Sequence, residues 1–424
     1  MKGAAIGISP LGPYLLVMLR LAGAALGFVV SFWLSQQNPA LFAGFSVLLI
    51  LSTLFATVAT LGFDVLLIRE LSGPARFADV SRRDLVGFCA ISSTLCAALV
   101  SGLMLLCLRH FYGSITDVGF GRIALAIGLQ CCCRLTVPIL RVSERFVAAQ
   151  LVESVLQQAV LVAAVLLLIQ PDSSAATAFD CFIVATGAAA LYGFWSCRGL
   201  ARRGFGSMRP IRRARVRYFA VEALIFLGST LLLMLNSRVD ILYVGRMLDP
   251  AGFGAYRVAA QVFELSGIVS STFLATYASR IVQMLRQGDV AGIGRILLPA
   301  TRLNFALMMA GTVLATLIGR PIVGLLFPAY PDLYGLVVMF LLFRSLSLLC
   351  PSGSTVLDLA DRQRISLTSM VLSFFTLCLL MPLAMGVAGV YGVAALVGTI
   401  LVARNVATTW LARRHAGIGT TVFG

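Results

Sequence analysis

Charged residues are scarce in this sequence of 424 residues: Asp, Glu, Lys and Arg together make up 12%, and Lys2 is the only lysine. Hydrophobic residues make up 59%, and the mean hydropathy is +0.97. A soluble protein of this length cannot bury so much apolar surface, whereas a lipid bilayer accepts it. The composition therefore predicts an all-α polytopic membrane protein. The long, non-alternating apolar runs exclude a membrane β-barrel.

Other residues and motifs that chemistry needs are also missing. His110 and His415 are the only histidines, and neither has ligand spacing to any of the 10 cysteines, so no metal site or disulfide framework is predicted. The chain has no Gly-x-x-x-x-Gly-Lys-Ser/Thr run for binding nucleotide phosphates. The predicted outer loops are short and leave no room for a catalytic domain. We expect a protein that is not an enzyme and has no cofactor.

The arginines are distributed unevenly between the predicted loops. About twelve apolar segments can cross a bilayer at roughly 20 residues each, with limits near 11–35, 41–67, 85–108, 119–140, 149–170, 177–197, 218–247, 253–279, 296–318, 333–351, 365–385 and 389–411. Every second loop is rich in arginine, and the loops between hold only Arg109, Arg122, Arg246 and Arg320. Because positive charge is enriched in cytoplasmic loops, both termini are predicted to be cytoplasmic in a bacterial inner membrane. The net charge of +16 then needs no nucleic-acid partner.

The most basic loop, 198–217, follows the sixth predicted span and holds eight arginines. It divides the chain into an N-terminal six-helix lobe, 1–205, and a C-terminal six-helix lobe, 206–424. One interpretation has this linker bind anionic headgroups, and a simpler one gives it a role in topology alone. The segments 38–45 and 249–256 align at an offset of 211 residues, which also relates Arg69 to Arg280. These matches predict a two-fold internal repeat.

Ionisable residues inside the predicted spans are the strongest functional signal. Seven are basic: Arg20, Arg134, Arg238, Arg257, Arg302, Arg344 and Arg404. The acidic residues at comparable depth are Asp64, Glu153, Asp180, Asp240 and Glu264. Charges at bilayer depth are costly and usually face a partner or a wet cavity. Because guanidinium groups stay charged and bind phosphate bidentately, the pattern favours a phosphate- or pyrophosphate-containing substrate over a cationic drug.

Structural roles compete with this interpretation at several positions. Asp240 and Arg257 are predicted at similar depth on neighbouring spans, where they would form an ion pair. Gly23 and Gly27 have the spacing that lets two helices approach closely. The second span carries a polar stripe that consists of Ser46, Thr53, Thr57, Thr60 and Asp64. In one interpretation the stripe faces a neighbouring helix or water. In the other, its hydroxyl groups donate hydrogen bonds to the backbone of their own helix.

Two sets of segments resemble a known family. Asn236, Asp240-Ile-Leu-Tyr-Val-Gly245 and Gly254-Ala-Tyr256-Arg-Val-Ala259 resemble the start of the second half of polysaccharide flippases. Phe42-Ala43-Gly44-Phe45, Leu61-Gly62-Phe63-Asp64 and Leu67-Ile68-Arg69-Glu70 resemble their first half. These are the Wzx-type O-antigen and exopolysaccharide flippases of the polysaccharide transporter family in the MOP superfamily. Ala43 and Phe45 depart from the Gly and Tyr that the family usually has there.

The resemblance implies two pseudo-symmetric six-helix lobes around a central cavity that opens alternately to each side (a MOP/MATE-like fold). The implied substrate is an undecaprenyl-pyrophosphate-linked oligosaccharide, with membrane lipids and polysaccharide polymerase or export components as candidate partners. Arg20 and Arg257 lie on the helices that carry cavity arginines in these flippases. The full candidate cavity set is Arg20, Arg134, Asn236, Arg238, Arg257, Gln261 and Arg344. The candidates for ion coupling are Asp64, Asp240 and Glu264.

Three rival functions make different demands on the sequence. A cation-coupled multidrug antiporter of the same superfamily would have a cavity dominated by acidic and aromatic groups, and its relatives often keep a carboxylate in the first span. A membrane-bound polymerase, ligase or glycosyltransferase needs a large outer loop with catalytic side chains. A scaffold without transport activity leaves the intramembrane charges unexplained.

Overall fold

The computed structural model describes residues 12–72, 81–113, 118–202, 213–268, 289–350, 353–359, 362–417 and 421–422, with the single positions 281, 284 and 287. All regular structure in these ranges is helical. Contacts divide the chain into two compact units. Unit 1 comprises Met1–Val30 and Leu51–Gly228, and unit 2 comprises Ser31–Ile50 and Ser229–Gly424. The predicted boundary after residue 205, between an N-terminal and a C-terminal six-helix lobe, stays a prediction.

The helices of the first half follow the predicted spans closely. They are α1 (Gly12–Gln37), α2 (Pro39–Ala59), α3 (Phe63–Ser72), α4 (Arg82–Phe111), α5 (Phe120–Val142), α6 (Phe146–Leu168) and α7 (Ala175–Arg202). A core in unit 1 joins α3, α4 and α5 to the start of the helix that begins at Arg213, through buried side chains that include Phe63, Leu66, Cys89 and Phe219. Apolar side chains elsewhere on these helices are exposed, as a bilayer-facing surface requires, including Leu99 and Leu167.

The second predicted span is interrupted, and this corrects the proposed polar stripe. Leu61 and Gly62 have φ of 52° and 76°, so α2 ends before them and α3 begins after them. A Cβ on Gly62 would lie 2.3 Å from the carbonyl oxygen of Ala223, so only glycine fits this contact. Asp64 therefore belongs to α3 and does not continue the stripe. Within α2, the Thr57 hydroxyl donates to the carbonyl of Thr53, which favours the interpretation of backbone-bonded hydroxyls.

The glycine pair in α1 serves helix packing within unit 1. A Cβ on Gly23 would lie 2.5 Å from the backbone oxygen of Ser154, and one on Gly27 would lie 3.5 Å from the side chain of Gln158. Both partners are in α6, where Leu151–Val155 forms a π-helical turn. The close-approach interpretation of this glycine spacing is confirmed.

The helices of the second half are α8 (Arg213–Met247), α9 (Pro250–Ser266), α10 (Val290–Leu326), α11 (Leu333–Ser347), α12 (Gly353–Leu359) and α13 (Gln363–Ala416). The 54 residues of α13 would extend about 80 Å as one helix, far beyond a bilayer. Ala388 and Gly389 leave helical geometry, and a Cβ on Gly392 would lie 2.1 Å from the carbonyl of Ala384. The chain therefore reverses there, which gives the two predicted spans 365–385 and 389–411.

Nine helices in the described part are long and apolar enough to cross a membrane, with α13 counted once. The two aligned turns have the same form. Asn38 separates α1 from Pro39 at the start of α2, and Asp249 precedes Pro250 at the start of α9. Proline suits the first position of a helix because its missing N–H has no partner to lose there. The repeat partner Arg280 lies outside the described residues.

Candidate functional site

The polar residues of unit 2 converge where α8 and α9 pack as a helical hairpin. The tight turn at Asp249 and Pro250 folds α9 back along α8. Asp240 on α8 then lies beside Tyr256 on α9, and the Tyr256 hydroxyl donates to Asp240 Oδ2 at 2.6 Å. Both side chains are buried, at 5% and 0% exposure. This hydrogen bond joins the two polar faces of the hairpin.

Glu264 on α9 is the centre of a three-residue ion network. It accepts a hydrogen bond from Arg238 Nη1 on α8, and Arg257 Nη1 lies 3.4 Å from its Oε1. The predicted Asp240–Arg257 ion pair is therefore wrong. Arg257 and Glu264 are seven residues apart on one helix, two turns, so Glu264 shares a face with Arg257, while Asp240 is bound to the Tyr256 hydroxyl. One carboxylate serves two guanidinium groups, which leaves the network with a formal charge of +1.

A cavity of about 150 Å³ lies next to this network inside unit 2. It is called the C-terminal cavity below. Its polar lining comes from four helical segments and includes Asn236, Asp240, Glu264, Ser373 and Arg404. The Asn236 amide is already committed, because its Nδ2 donates to the carbonyl oxygens of Leu232 and Met370.

Two further arginines stand at or beside the C-terminal cavity. Arg404 of α13 lines it, and the Arg344 guanidinium of α11 lies 5.5 Å from the ring centroid of Phe263, another lining residue. Neither arginine has a carboxylate partner among the described residues, and Arg344 Nε is buried without a hydrogen bond. Gln261 also belongs to α9, and its buried Oε1 has no partner in the described part of the chain.

In unit 1 the candidate residues are more dispersed. Arg134 on α5 is half-buried, and the carboxylates that act on it electrostatically are Asp64 and Glu153. Arg20 on α1 is exposed. Two predicted intramembrane acids are accounted for by ion pairs, since Glu153 binds Arg141 and Asp180 lies 3.0 Å from Arg122. These two carboxylates are therefore structural partners of Arg141 and Arg122, which lie near the two ends of α5.

Sequence patterns miss three features of the site. Tyr256 has family-like spacing, but that spacing does not mark it as the partner of Asp240. Arg404 is evident as an intramembrane charge, but no sequence pattern assigns it a role. Gly267, which ends α9, leaves the space that Arg344 fills, because a Cβ there would lie 2.5 Å from Arg344 Nη2. The sequence does offer one indication for Arg344 and Arg404: neither has an Asp or Glu three or four residues away on its own helix.

Comparisons with known proteins identify the fold. No protein-family model and no curated protein sequence matches the chain. A solved multidrug resistance MATE family transporter of the MOP superfamily, in an inward-facing conformation, aligns with a TM-score of 0.72 at 14% identity over 95% of this chain and 98% of its own. The chain has the MOP fold.

Solved structures from two branches of the MOP superfamily support this assignment. The lipid II flippase MurJ in an inward closed conformation aligns with a TM-score of 0.68 at 12% identity over 94% of this chain and 87% of its own. The Vibrio cholerae MATE transporter VcmN in a bent form aligns with a TM-score of 0.63 at 15% identity over 95% of this chain and 96% of its own. The MOP fold confirms the predicted all-α polytopic class, and identities this low carry the fold alone.

Proposed function

We propose that this MOP-fold protein is a flippase that moves an undecaprenyl-pyrophosphate-linked oligosaccharide, an O-antigen or exopolysaccharide repeat unit, across the bacterial inner membrane. The cavity would hold the diphosphate and sugars while the lipid chain stays in the bilayer. Transport would proceed by alternating access, with no catalytic chemistry. The titratable carboxylates Asp64, Asp240 and Glu264 are the candidates for coupling to an ion gradient.

One observation carries this proposal: arginines outnumber carboxylates around the C-terminal cavity. Arg238, Arg257, Arg344 and Arg404 stand against Asp240 and Glu264. Buried charge without a counterion is costly, so an excess of two positive charges at bilayer depth favours an anionic occupant. A cavity selected for cationic drugs would have the opposite balance.

A cation-coupled drug antiporter is the second candidate. It is favoured by the two carboxylates that line the C-terminal cavity, Asp240 and Glu264, because titratable acids are suited to exchange a proton or cation. In this alternative the four arginines would be structural, and the two carboxylates would alternate between a cation and their present partners.

Leaflet exchange in liposomes tests both candidates with one preparation. Purified protein is reconstituted with a fluorescent polyprenyl-pyrophosphate oligosaccharide, and exchange is followed for wild type, Arg20→Ala and Arg257→Ala. Arg320→Ala is the matched control, because Arg320 is an exposed arginine of α10. We expect exchange that depends on the protein, falls at least about tenfold in the first two variants and survives in the control. No exchange, together with efflux of small cationic dyes, would replace the flippase with the antiporter.

A further inference from the structure

Arg344 and Arg404 form an arginine pair with a different environment from Arg238 and Arg257. We propose that this pair is the docking site for the diphosphate group of the substrate. The diphosphate assignment rests on the proposed flippase function and deepens it, whereas an anion site at these two residues can be tested without transport. The paired arginines around Glu264 would then orient the substrate without being its first contact.

Arg344 and Arg404 lack carboxylate counterions among the described residues. In the described part of the chain neither guanidinium has a carboxylate within ion-pair distance, and Arg344 Nε is buried without an acceptor. A guanidinium presents five donors and no acceptor, so unpaired donors at membrane depth carry the full cost of desolvation. Arg238 and Arg257 differ, because both already contact Glu264.

The two charges also act on each other. Arg404 is close enough to Arg344 for the two positive charges to repel each other. Arg344 lies in the last turn of α11, where the helix dipole offsets part of its charge. Arg404 lies in the middle of a helical segment and has no such compensation. An anion between the guanidinium groups would relieve the repulsion and supply acceptors to both.

The surrounding geometry suits a diphosphate. The cavity volume of about 150 Å³ is some ten times the roughly 15 Å³ that one water molecule needs. Phe263 is common to the surroundings of both arginines, because its side chain lines the cavity together with Arg404 and its ring centroid lies 5.5 Å from the Arg344 guanidinium. This cation–π contact fixes the guanidinium plane, and planar bidentate recognition of phosphate depends on such an orientation.

The site also lies toward the side from which the proposed substrate would enter. The Asn405 amide donates to the carbonyl of Ser347 at 3.1 Å, so the end of α11 and the second half of α13 are at the same depth. Both helices run toward arginine-bearing segments, at Arg362 and at Arg413, that the positive-inside rule assigns to the cytoplasm. A lipid-linked oligosaccharide made in the cytoplasm would therefore meet this pair early.

Binding measurements on the full-length protein in detergent test the proposal. The probes are inorganic pyrophosphate, farnesyl diphosphate and short-chain phosphatidylglycerol, titrated calorimetrically into wild type, Arg344→Gln and Arg404→Gln. Arg320→Gln is the exposed control. We expect each of the two variants to bind both diphosphates about tenfold or more weakly, as loss of a charge-assisted hydrogen bond predicts, and the control to bind like wild type.

Gly267→Ala adds a variant that keeps every charge. Its methyl group would lie 2.5 Å from Arg344 Nη2 and displace the guanidinium, so we expect weaker diphosphate binding with both arginines present. In the ligand-free protein, Arg404→Gln removes a like-charge neighbour, and we expect its melting temperature to equal or exceed that of wild type. A residue needed only for structure would lower it. An Arg404→Gln protein that fails to fold counts as the same result and overturns the assignment of Arg404 to the anion site.

Diphosphate binding at Arg344 and Arg404 and leaflet exchange by the whole protein can fail independently of each other. Unchanged diphosphate affinity in the Arg344 and Arg404 variants would overturn the site, even where wild type exchanges lipid-linked oligosaccharide between leaflets. Phosphatidylglycerol binding as tight as that of farnesyl diphosphate, with the same dependence on the pair, would make it a lipid-headgroup site and overturn the diphosphate assignment. Diphosphate binding that depends on the pair in a protein without exchange activity supports the site and overturns the flippase.

Discussion

The Tyr256 hydroxyl is the only side-chain donor to the buried Asp240 carboxylate in the described part of the chain. Tyr256→Phe leaves that carboxylate with an unmet acceptor inside unit 2. We expect the free energy of unfolding to fall by about 1–3 kcal/mol, measured by denaturant unfolding in detergent. Tyr243→Phe is the matched control on α8, because its hydroxyl has no partner among the described residues, and a loss as large there would remove the special role of Tyr256.

Glu264 is the shared counterion of two arginines, one of which, Arg257, is only 6% exposed. Glu264→Gln leaves both guanidinium groups without a carboxylate, and we expect it to cost about 1–3 kcal/mol of unfolding free energy. Glu222→Gln breaks the exposed pair with Arg69 at 2.9 Å and should cost less than about 1 kcal/mol. In the double variant Glu264→Gln/Arg257→Gln, we expect part of the lost unfolding free energy to be recovered. If the losses of the two single variants simply added, the ion network would be contradicted.

The sequence identifies which side chains are polar at membrane depth but not how they pair. Arg257 and Glu264 are in contact, as their spacing of two helical turns allows, whereas the predicted Asp240–Arg257 pair is wrong. Its failure has a physical cause. Depth alone matches Asp240 with Arg257, and the rotation of α8 against α9 decides which of two nearby carboxylates a guanidinium reaches. That rotation depends on packing around Tyr256, which spacing does not encode.

Among the helices, the break between α2 and α3 gives the sharpest prediction. Gly62 has a φ of 76°. A Cβ added there would lie 2.3 Å from the Ala223 carbonyl oxygen and 2.6 Å from the Leu227 nitrogen. Gly62→Ala should therefore separate α3 from α8 and lower the unfolding free energy by at least about 1–2 kcal/mol from backbone strain alone. Gly228→Ala lies in α8 with nothing within 4 Å of the added Cβ, and helix propensity should stabilise it by up to about 1 kcal/mol. Equal effects in the two variants would refute the close contact.

The predicted helices are confirmed where hydrophobic length and proline define an element. The turn at Asp249 and Pro250 and the chain reversal between the last two spans follow from residue types that the sequence shows directly. The interruption at Leu61 and Gly62 does not, because both residues lie in a continuous apolar run and the requirement for glycine comes from α8, far along the chain. The π-helical turn in α6 likewise arises where α1 packs closely, at Gly23 and Ser154.

For the whole molecule, a shared fold leaves the substrate undecided. The MOP fold aligns this chain with a multidrug resistance transporter and with a lipid II flippase at nearly the same identity, 14% and 12%. What separates an anionic from a cationic substrate is the charge balance at the site, since the field of a cavity selects the sign of its occupant. The four arginines around the C-terminal cavity therefore carry more information about function than the arrangement of helices does.

Orientation in the membrane is the prediction that involves the whole chain. The arginine-rich loops should lie on one side, with the described segment 327–332 between α10 and α11 on the other. A green fluorescent protein fused after residue 424 should fluoresce and alkaline phosphatase fused there should be inactive, whereas phosphatase inserted at 329–331 should be active. If the C-terminal phosphatase fusion were active instead, Arg344 and Arg404 would lie toward the outer leaflet, and the diphosphate group would meet them at the end of transport.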